Sequence, residues 1–240
     1  MKVFDRSSIP DIFENRSHWA SVINESVADD GGCIIRGLYD ENFILNFKKW
    51  VFEQRVRQGL SGNQKYTRET KNHFKVVDKN FEDPRPTRFV LCQYFPWNKT
   101  ENAEFHDFFI QFMQIRNILN GIDLDVGIFD TKQFISWISV LQYRSGGDFL
   151  ACHKDKYKFQ AILIMSQFGK DFTSGGQYIL SEDMGSVFTE KLFRIGDLVM
   201  LKSDIPHGVY PIDQDAPLSD NSIDGRWIMF SPYNDPAVLT

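Results

Sequence analysis

The most informative segment of the chain is YRSGGDFLACHKD, residues 143–155. It places the imidazole of His153 and the carboxylate of Asp155 two residues apart. In an extended segment, side chains at positions i and i+2 point to the same face, so both groups can bind one ion from one side. An isolated His-x-Asp is common in proteins, so the surrounding residues decide how strongly it indicates a metal site.

A second histidine, His207, follows a strand that we predict over residues 197–201. If the strands of this half close into a barrel, His207 can meet His153 and Asp155 inside it. Two neutral imidazoles and one carboxylate would then form a three-point face on a metal, which for Fe(II) leaves positions open for O2 and a chelating co-substrate. The remaining histidines lack such neighbours and are predicted to be structural: His18, His73 and His106.

The second half of the chain alternates short apolar runs with glycines. We predict strands over residues 134–143, 159–165, 177–180, 197–201, 208–212 and 227–230. Many short strands at regular spacing favour a sandwich or a barrel. The first half predicts helices over residues 17–27 and 103–119, a further helix capped by Asp40, and a short buried strand at Cys33-Ile34-Ile35.

Composition narrows the class of protein. The 240 residues are 42% hydrophobic, which is enough for one sizeable core. A net charge of -5 and a pI of about 5.6 give no general attraction for nucleic acid or an anionic membrane. Three scattered cysteines, Cys33, Cys92 and Cys152, indicate free thiols in a reducing compartment, and neither a membrane span nor an apolar signal core is visible. We expect a cytoplasmic protein without nucleic-acid or membrane partners, and the oligomeric state stays open.

The residues around the His-x-Asp pair carry a family resemblance. Residues 143–155 are followed by Gly196-Asp197 at the start of an apolar strand, then by His207 with Val209 and Pro211 behind it, and finally by Arg226. This order resembles the Fe(II)/2-oxoglutarate-dependent oxygenase superfamily, with the closest likeness to its prolyl-hydroxylase-like branch. The match covers roughly residues 134–232, less than half of the chain.

The resemblance implies a mainly β fold with flanking helices, the cupin-like double-stranded β-helix or jelly roll. No boundary in the sequence looks like a linker, so we expect a single domain over residues 1–240, with a helix-rich front half (about 1–130) packed on a jelly-roll core (about 131–235). His153, Asp155 and His207 would be the iron ligands, and the cofactors would be Fe(II), 2-oxoglutarate and O2. Arg226 would pair with the distal carboxylate of 2-oxoglutarate, a task that suits a guanidinium, and Tyr143 would hydrogen-bond the same co-substrate.

One departure from the family pattern concerns Arg226. In the family the basic residue follows the second histidine by about ten positions, whereas here the interval contains the extra residues 213–224. These residues are rich in Asp, Ser, Asn and Pro, so we predict an inserted surface turn, with Arg226 still opening the last strand. Asp155 itself argues against halogenation, because related halogenases carry a small residue at that position.

The resemblance implies an oxidoreductase, most simply a dioxygenase that hydroxylates a small molecule such as an amino acid or a biosynthetic intermediate. A protein or peptide hydroxylase of the same family is the main alternative. From other classes, a non-catalytic ligand-binding β-barrel stays open. A zinc hydrolase would need a general base beside its metal, and no Glu adjoins His153 or His207 in the sequence.

A basic segment, residues 55–79, has little periodicity and holds seven Lys and Arg against two acidic residues. It is interpreted either as a lid that attracts an anionic substrate or as a solvated surface loop, and charge runs usually just face water.

Overall fold

The computed structural model of the chain describes residues 1–6, 12–78, 87–155, 159–181 and 185–239, with the side chain of Phe159 excepted. In this part of the chain the helices are α1 Arg16–Asp30, α2 Glu41–Gln58 and α3 His106–Leu119. The strands are β1 Lys2–Asp5, β2 Gly32–Arg36, β3 His73–Asp78, β4 Thr87–Tyr94, β5 Val126–Gly127, β6 Asp130–Ile135, β7 Ile138–Tyr143, β8 Phe149–His153, β9 Phe159–Ile164, β10 Gly176–Ser181, β11 Gly185–Phe188, β12 Leu198–Lys202, β13 His207–Tyr210 and β14 Arg226–Phe230.

Twelve of these strands share one hydrogen-bonded sheet, in the order β1-β2-β12-β9-β14-β7-β4-β8-β13-β10-β11, with β3 beside β4. Strand β4 joins the two halves of this sheet. Its residues 90–94 pair with β7, whereas Thr87 and Arg88 pair with β8. Side chains of β7, β9 and β14 line a common cavity with side chains of β8, β10 and β13, so the two halves face each other as two layers.

The larger layer contains β1, β2, β12, β9, β14 and β7. Its central strands β12, β9, β14 and β7 are buried on both faces, which explains their nearly continuous apolar sequence. In β14, Trp227 and Met229 belong to the core cluster that contains the helices, whereas Ile228 belongs to the cluster between the two layers. Strand β9 alternates in the same way, with Leu163 towards the helices and Ile162 towards the other layer. Arg226, two residues before Ile228, therefore faces the space between the layers.

The helices cover the outer face of the larger layer. Asp40 caps α2 by accepting a hydrogen bond of 3.0 Å from the backbone N–H of Phe43, as the sequence predicted. Ile44, Phe47 and Val51 of this helix are fully buried in the helix-facing cluster. Burying one such side chain contributes about 1.5–3 kcal/mol to stability.

The jelly-roll architecture and the three predicted helices are confirmed, although α3 begins at His106 instead of residue 103. The strand predicted over residues 134–143 is wrong as one element, because Ser136 and Trp137 interrupt it between β6 and β7. The front half also supplies β1 to β4 to the large sheet, so it contributes more than helices. The single-domain boundaries remain a prediction. No described helix is both long and apolar enough to cross a membrane.

Candidate metal centre

The pairing of β8 with β13 brings the two predicted histidine ligands together. His153 and His207 lie directly opposite each other in this antiparallel pair, and their ring centroids are 4.4 Å apart. Side chains of directly opposite residues project from the same face of a sheet. Asp155 follows His153 by two residues and is fixed by a 2.8 Å hydrogen bond from its N–H to the carbonyl of Ser203.

A bulge in β8 aims His153 into the cavity. The pairing shifts from His207↔His153 to Val209↔Leu150, so three steps along β8 match two along β13. The extra residue lets both Leu150 and His153 line the cavity, although they are three positions apart and would point to opposite faces of a regular strand. The carbonyl of Ala151, inside the bulge, lies 3.0 Å from Nδ1 of His153.

The three side chains converge on one point. Nε2 of His153 lies 3.5 Å from one carboxylate oxygen of Asp155, and Nε2 of His207 lies 3.3 Å from the other. One ligand atom from each residue falls within 4.8 Å of the other two. Nδ1 of His207 lies 2.9 Å from the carbonyl of Ile205, so each imidazole can donate from Nδ1 to a backbone carbonyl and keep the Nε2 lone pair for an ion.

The charge state of Asp155 suits a cation. Burial acts to raise the pKa of its carboxyl, but the imidazoles of His153 and His207 against its two oxygens lower the pKa by more. The pKa of Asp155 therefore lies below its ordinary value, and the group is a carboxylate at neutral pH. Two imidazole nitrogens with one carboxylate on one side of an ion form the ligand set of non-haem Fe(II) sites.

The three residues lie at the wall of a cavity of about 230 Å³ between the two layers. The rest of its described lining is mainly apolar: Phe89, Leu141, Tyr143, Leu150, Gln160, Ile162, Gln177, Gly208, Val209, Arg226, Ile228 and Phe230. A larger depression of about 750 Å³ lies on the helical side and shares no described lining residue with this cavity.

Arg226 and Tyr143 line the same cavity as the metal centre. They are direct partners in the β14–β7 pair, and the guanidinium carbon of Arg226 lies 5.6 Å from the centre of the Tyr143 ring. Arg226 is fully buried. The inserted residues 213–224 before it are held by hydrogen bonds from other parts of the chain. Arg55 donates to the carbonyl of Asp220 over 2.9 Å, and Gln142 donates to the carbonyl of Asp224 over 2.9 Å.

The co-substrate implied by the sequence, 2-oxoglutarate, fits the polar atoms of Arg226 and Gln177 in the cavity wall. Nη1 of Arg226 and Nε2 of Gln177 are both buried and have no hydrogen-bond partner among the described residues. Leaving such donors unpaired costs about 1–3 kcal/mol each, and a carboxylate is the natural acceptor for both. Sequence reasoning missed Gln177, and also Glu190, which binds Arg226 at 2.7 Å, because neither residue belongs to a local motif.

The basic segment is not the loop that the sequence suggested over its whole length. Its first residues, 55–58, end α2, and residues 73–78 form β3, while Lys79 lies outside the described residues. Two of its cations, Arg55 and Lys75, are buried. None of its described residues lines the 230 Å³ cavity.

No family model matches the sequence, and no curated protein matches it. Solved structures do match. A prolyl-4-hydroxylase of Pseudomonas putida is 14% identical, with a TM-score of 0.59 over 90% of this chain and 98% of that chain. A Trichoplax adhaerens prolyl hydroxylase, in complex with a hypoxia inducible factor peptide fragment, is 12% identical, with a TM-score of 0.57 over 94% of this chain and 93% of that chain.

A full-length Neurospora crassa protein, solved in complex with alpha-KG and thymine, is 12% identical, with a TM-score of 0.59 over 98% of this chain and 86% of that chain. At these identities the likeness establishes the fold. The resemblance found in the sequence is thereby confirmed at the level of architecture. This chain has the jelly-roll fold of the 2-oxoglutarate/Fe(II) oxygenases.

Proposed function

We propose that this protein is a Fe(II)- and 2-oxoglutarate-dependent dioxygenase that hydroxylates a small molecule. The observation that carries the proposal is that two groups of polar side chains line one cavity. His153, Asp155 and His207 converge at one place in its wall, and the unpaired donors of Arg226 and Gln177 lie elsewhere in the same wall. A co-substrate with an oxo acid at one end and a carboxylate at the other matches both.

The residues of the chain divide the work. His153, Asp155 and His207 would hold the iron, Arg226 would bind the distal carboxylate, and Tyr143 borders Arg226 in the cavity wall. When bound, Fe(II) and 2-oxoglutarate supply the activation of O2, with succinate and CO2 as the products of the co-substrate. The apolar walls exclude bulk water from the reaction, which protects the oxidising site from side reactions.

The cavity lining supports a small and uncharged group as the part of the substrate that enters. Beyond the iron ligands and Arg226, no described lining residue is charged, and the polar side chains that remain are Tyr143, Gln160 and Gln177. A free amino acid would bury an ammonium and a carboxylate together, and buried charges need partners. Among the small molecules that the sequence suggested, the lining therefore favours a neutral biosynthetic intermediate over a zwitterion.

A peptide hydroxylase, the main alternative, differs from this proposal in the substrate that it would oxidise. A panel of small metabolites should stimulate succinate release from 2-oxoglutarate under air. Among the proteins of similar fold, the Neurospora protein was solved with thymine and the Trichoplax enzyme with a peptide fragment, so the fold accepts both kinds of ligand. Stimulation by polypeptides alone, with a matching mass shift on the polypeptide, would favour the peptide hydroxylase.

The experiment that tests the enzyme class is anaerobic addition of Fe(II) and 2-oxoglutarate to the purified protein. We expect a weak visible charge-transfer band that disappears in the His207→Ala variant. A folded protein without this band would favour the ligand-binding barrel. A zinc hydrolase is disfavoured further, because Asp155 is the only acidic side chain among the described cavity residues and it faces both imidazoles.

A further inference from the structure

Arg226 is held in a buried ion pair that the metal centre does not explain. Its Nε donates to Oε2 of Glu190 over 2.7 Å, and both side chains are 1% exposed. Its Nη2 donates to Oε1 of Gln177 over 2.9 Å. Within the described part of the chain, only Nη1 is left without a partner. Two of the three guanidinium nitrogens are therefore engaged by the protein itself.

The surroundings of Glu190 fix this arrangement. Glu190 opens a short 3₁₀ turn, and its Oε2 also accepts the backbone N–H of Gln177 over 2.7 Å. The N–H of the preceding Thr189 donates to the carbonyl of Gln177 over 3.0 Å. Gly176 leaves room for the turn, since a side chain there would lie 2.8 Å from Cγ of Glu190. The turn is thus hydrogen-bonded to β10 at Gln177, whose side chain also accepts a hydrogen bond from Arg226.

We infer that Gln177 is a second binding residue for the distal carboxylate of the co-substrate, and that Glu190 is a positioning residue whose charge cancels that of Arg226. This inference rests on the proposed function. The orphaned Nη1 of Arg226 and Nε2 of Gln177 both belong to cavity-lining residues, and Gln177 turns its oxygen to Arg226, which leaves its nitrogen as a donor.

The charge balance has a measurable consequence. Arg226 and Glu190 together carry no net charge, so the co-substrate meets a receptor made of hydrogen bonds and not an uncompensated cation. A buried carboxylate close to an incoming anion opposes its binding, because like charges repel strongly where water is excluded. Removing the charge of Glu190 without changing its shape should therefore tighten binding of 2-oxoglutarate, although the ligand-free protein loses a buried ion pair.

The test is calorimetric titration of 2-oxoglutarate into protein loaded with Mn(II), which binds the co-substrate without turnover. Glu190→Gln keeps an acceptor for Arg226 and should bind 2-oxoglutarate at least about fivefold more tightly than wild type. Gln177→Glu keeps the acceptor for Arg226 but replaces the donor with a carboxylate, and should bind at least about tenfold more weakly. The matched control is Asp197→Asn, which removes another buried carboxylate, paired with Arg36 at 3.3 Å and outside the cavity lining, and should change binding by less than about twofold.

Each outcome decides the inference. Unchanged or weaker binding in folded Glu190→Gln would mean that the charge of Glu190 does not oppose the co-substrate, and the inference would be wrong. If Glu190→Gln does not fold, Gln177→Glu decides, and unchanged affinity there overturns the inference. Wild-type protein that binds Mn(II) but no 2-oxoglutarate would overturn both this inference and the proposed function, whereas wild-type binding with the wrong variant pattern would overturn the inference alone.

Discussion

Two groups of polar residues lie in or beside the cavity wall, and they are built in different ways. Each is named for the ligand proposed for it: the metal end is His153, Asp155 and His207, and the carboxylate end is Arg226, Gln177 and Glu190. The metal end takes His153 and Asp155 from one short segment and His207 from the strand directly paired with it. The carboxylate end takes Arg226 from β14, Gln177 from β10 and Glu190 from a turn after β11. One end is a local motif completed by one strand pair, and the other is assembled from three separate segments.

The two ends also differ in charge balance and therefore in how much they should contribute to the stability of the fold. At the metal end, Asp155 lies between two imidazoles that would be neutral as ligands, so the proposed metal ion would balance the negative charge of its carboxylate. The carboxylate end already contains a matched cation and anion, both removed from water. We therefore expect changes at the metal end to abolish function with little loss of stability, and changes at the carboxylate end to cost stability as well.

The largest effect should come from removing an imidazole. His153→Ala or His207→Ala should weaken Mn(II) binding by more than about 100-fold, which exceeds what loss of a supporting hydrogen bond alone costs. Succinate formation should be lost, while the thermal melting temperature changes by only a few degrees. Metal titration and melting curves measure the two quantities. His18→Ala, an exposed histidine on α1, is the matched control, and wild-type metal affinity in either ligand variant would refute the assignment.

The next effect concerns Arg226→Ala. Removing this cation leaves the buried carboxylate of Glu190 without its ion-pair partner, so the free energy of unfolding should fall by about 3–5 kcal/mol. Adding Glu190→Gln in the same chain should recover a large part of that loss, because the stranded charge disappears. Urea unfolding of both variants measures this coupling. Equal losses in Arg226→Ala and His153→Ala would contradict the distinction between the two ends.

A smaller effect concerns the reactivity of the three cysteine thiols, which depends on how deeply each is buried in the fold. Burial raises the pKa of Cys33 and of Cys92 to about 12, whereas Cys152, next to His153 in β8, is exposed. A rise from 9.0 to about 12 lowers the thiolate fraction at pH 8 by about 10³. A thiol reagent should therefore modify one cysteine rapidly in the native protein and all three after unfolding.

The same shifts fix a pH dependence of stability. The native protein keeps the protons of Cys33 and Cys92 where the unfolded chain begins to release them, near the ordinary pKa of 9.0. Their contribution to stability is therefore complete below pH 9 and declines as the pH rises towards 12. Urea midpoints at pH 8 and pH 10.5 should show this decline. Rapid modification of three thiols in the native protein would contradict the burial of two of them.

The smallest effect should come from the basic segment. Lys65 and Lys71 are exposed and lie outside the described cavity lining, so Lys65→Ala and Lys71→Ala should change stability by less than about 0.5 kcal/mol. Steady-state kinetics with an active substrate should also stay at wild-type values. A weaker affinity for an anionic substrate in either variant would restore the lid interpretation.

The convergence of His153, Asp155 and His207 could be predicted from the sequence because much of the information for it is local. A two-residue spacing in an extended segment, followed by a histidine at a strand end, restricts where three side chains can point. Strands β1, β3, β4, β8 and β11 of the large sheet were not predicted, and β4 is the strand that joins the two layers. Its sequence lies among charged residues in a half that otherwise reads as helical, so periodicity alone did not reveal it.

From the residues alone, the short strands indicate a sandwich or a barrel, which the family resemblance narrows to the jelly roll. Helix caps, periodicity and close spacing indicate the three helices and the pairing of His153 with Asp155, because these signals act over a few residues. The tertiary structure alone decided that Glu190 and Gln177 share Arg226, and that a one-residue bulge in β8 turns His153 towards His207. Those relations depend on the register between strands far apart in the chain. A buried ion pair and an unpaired donor exist only once the layers have closed and excluded water.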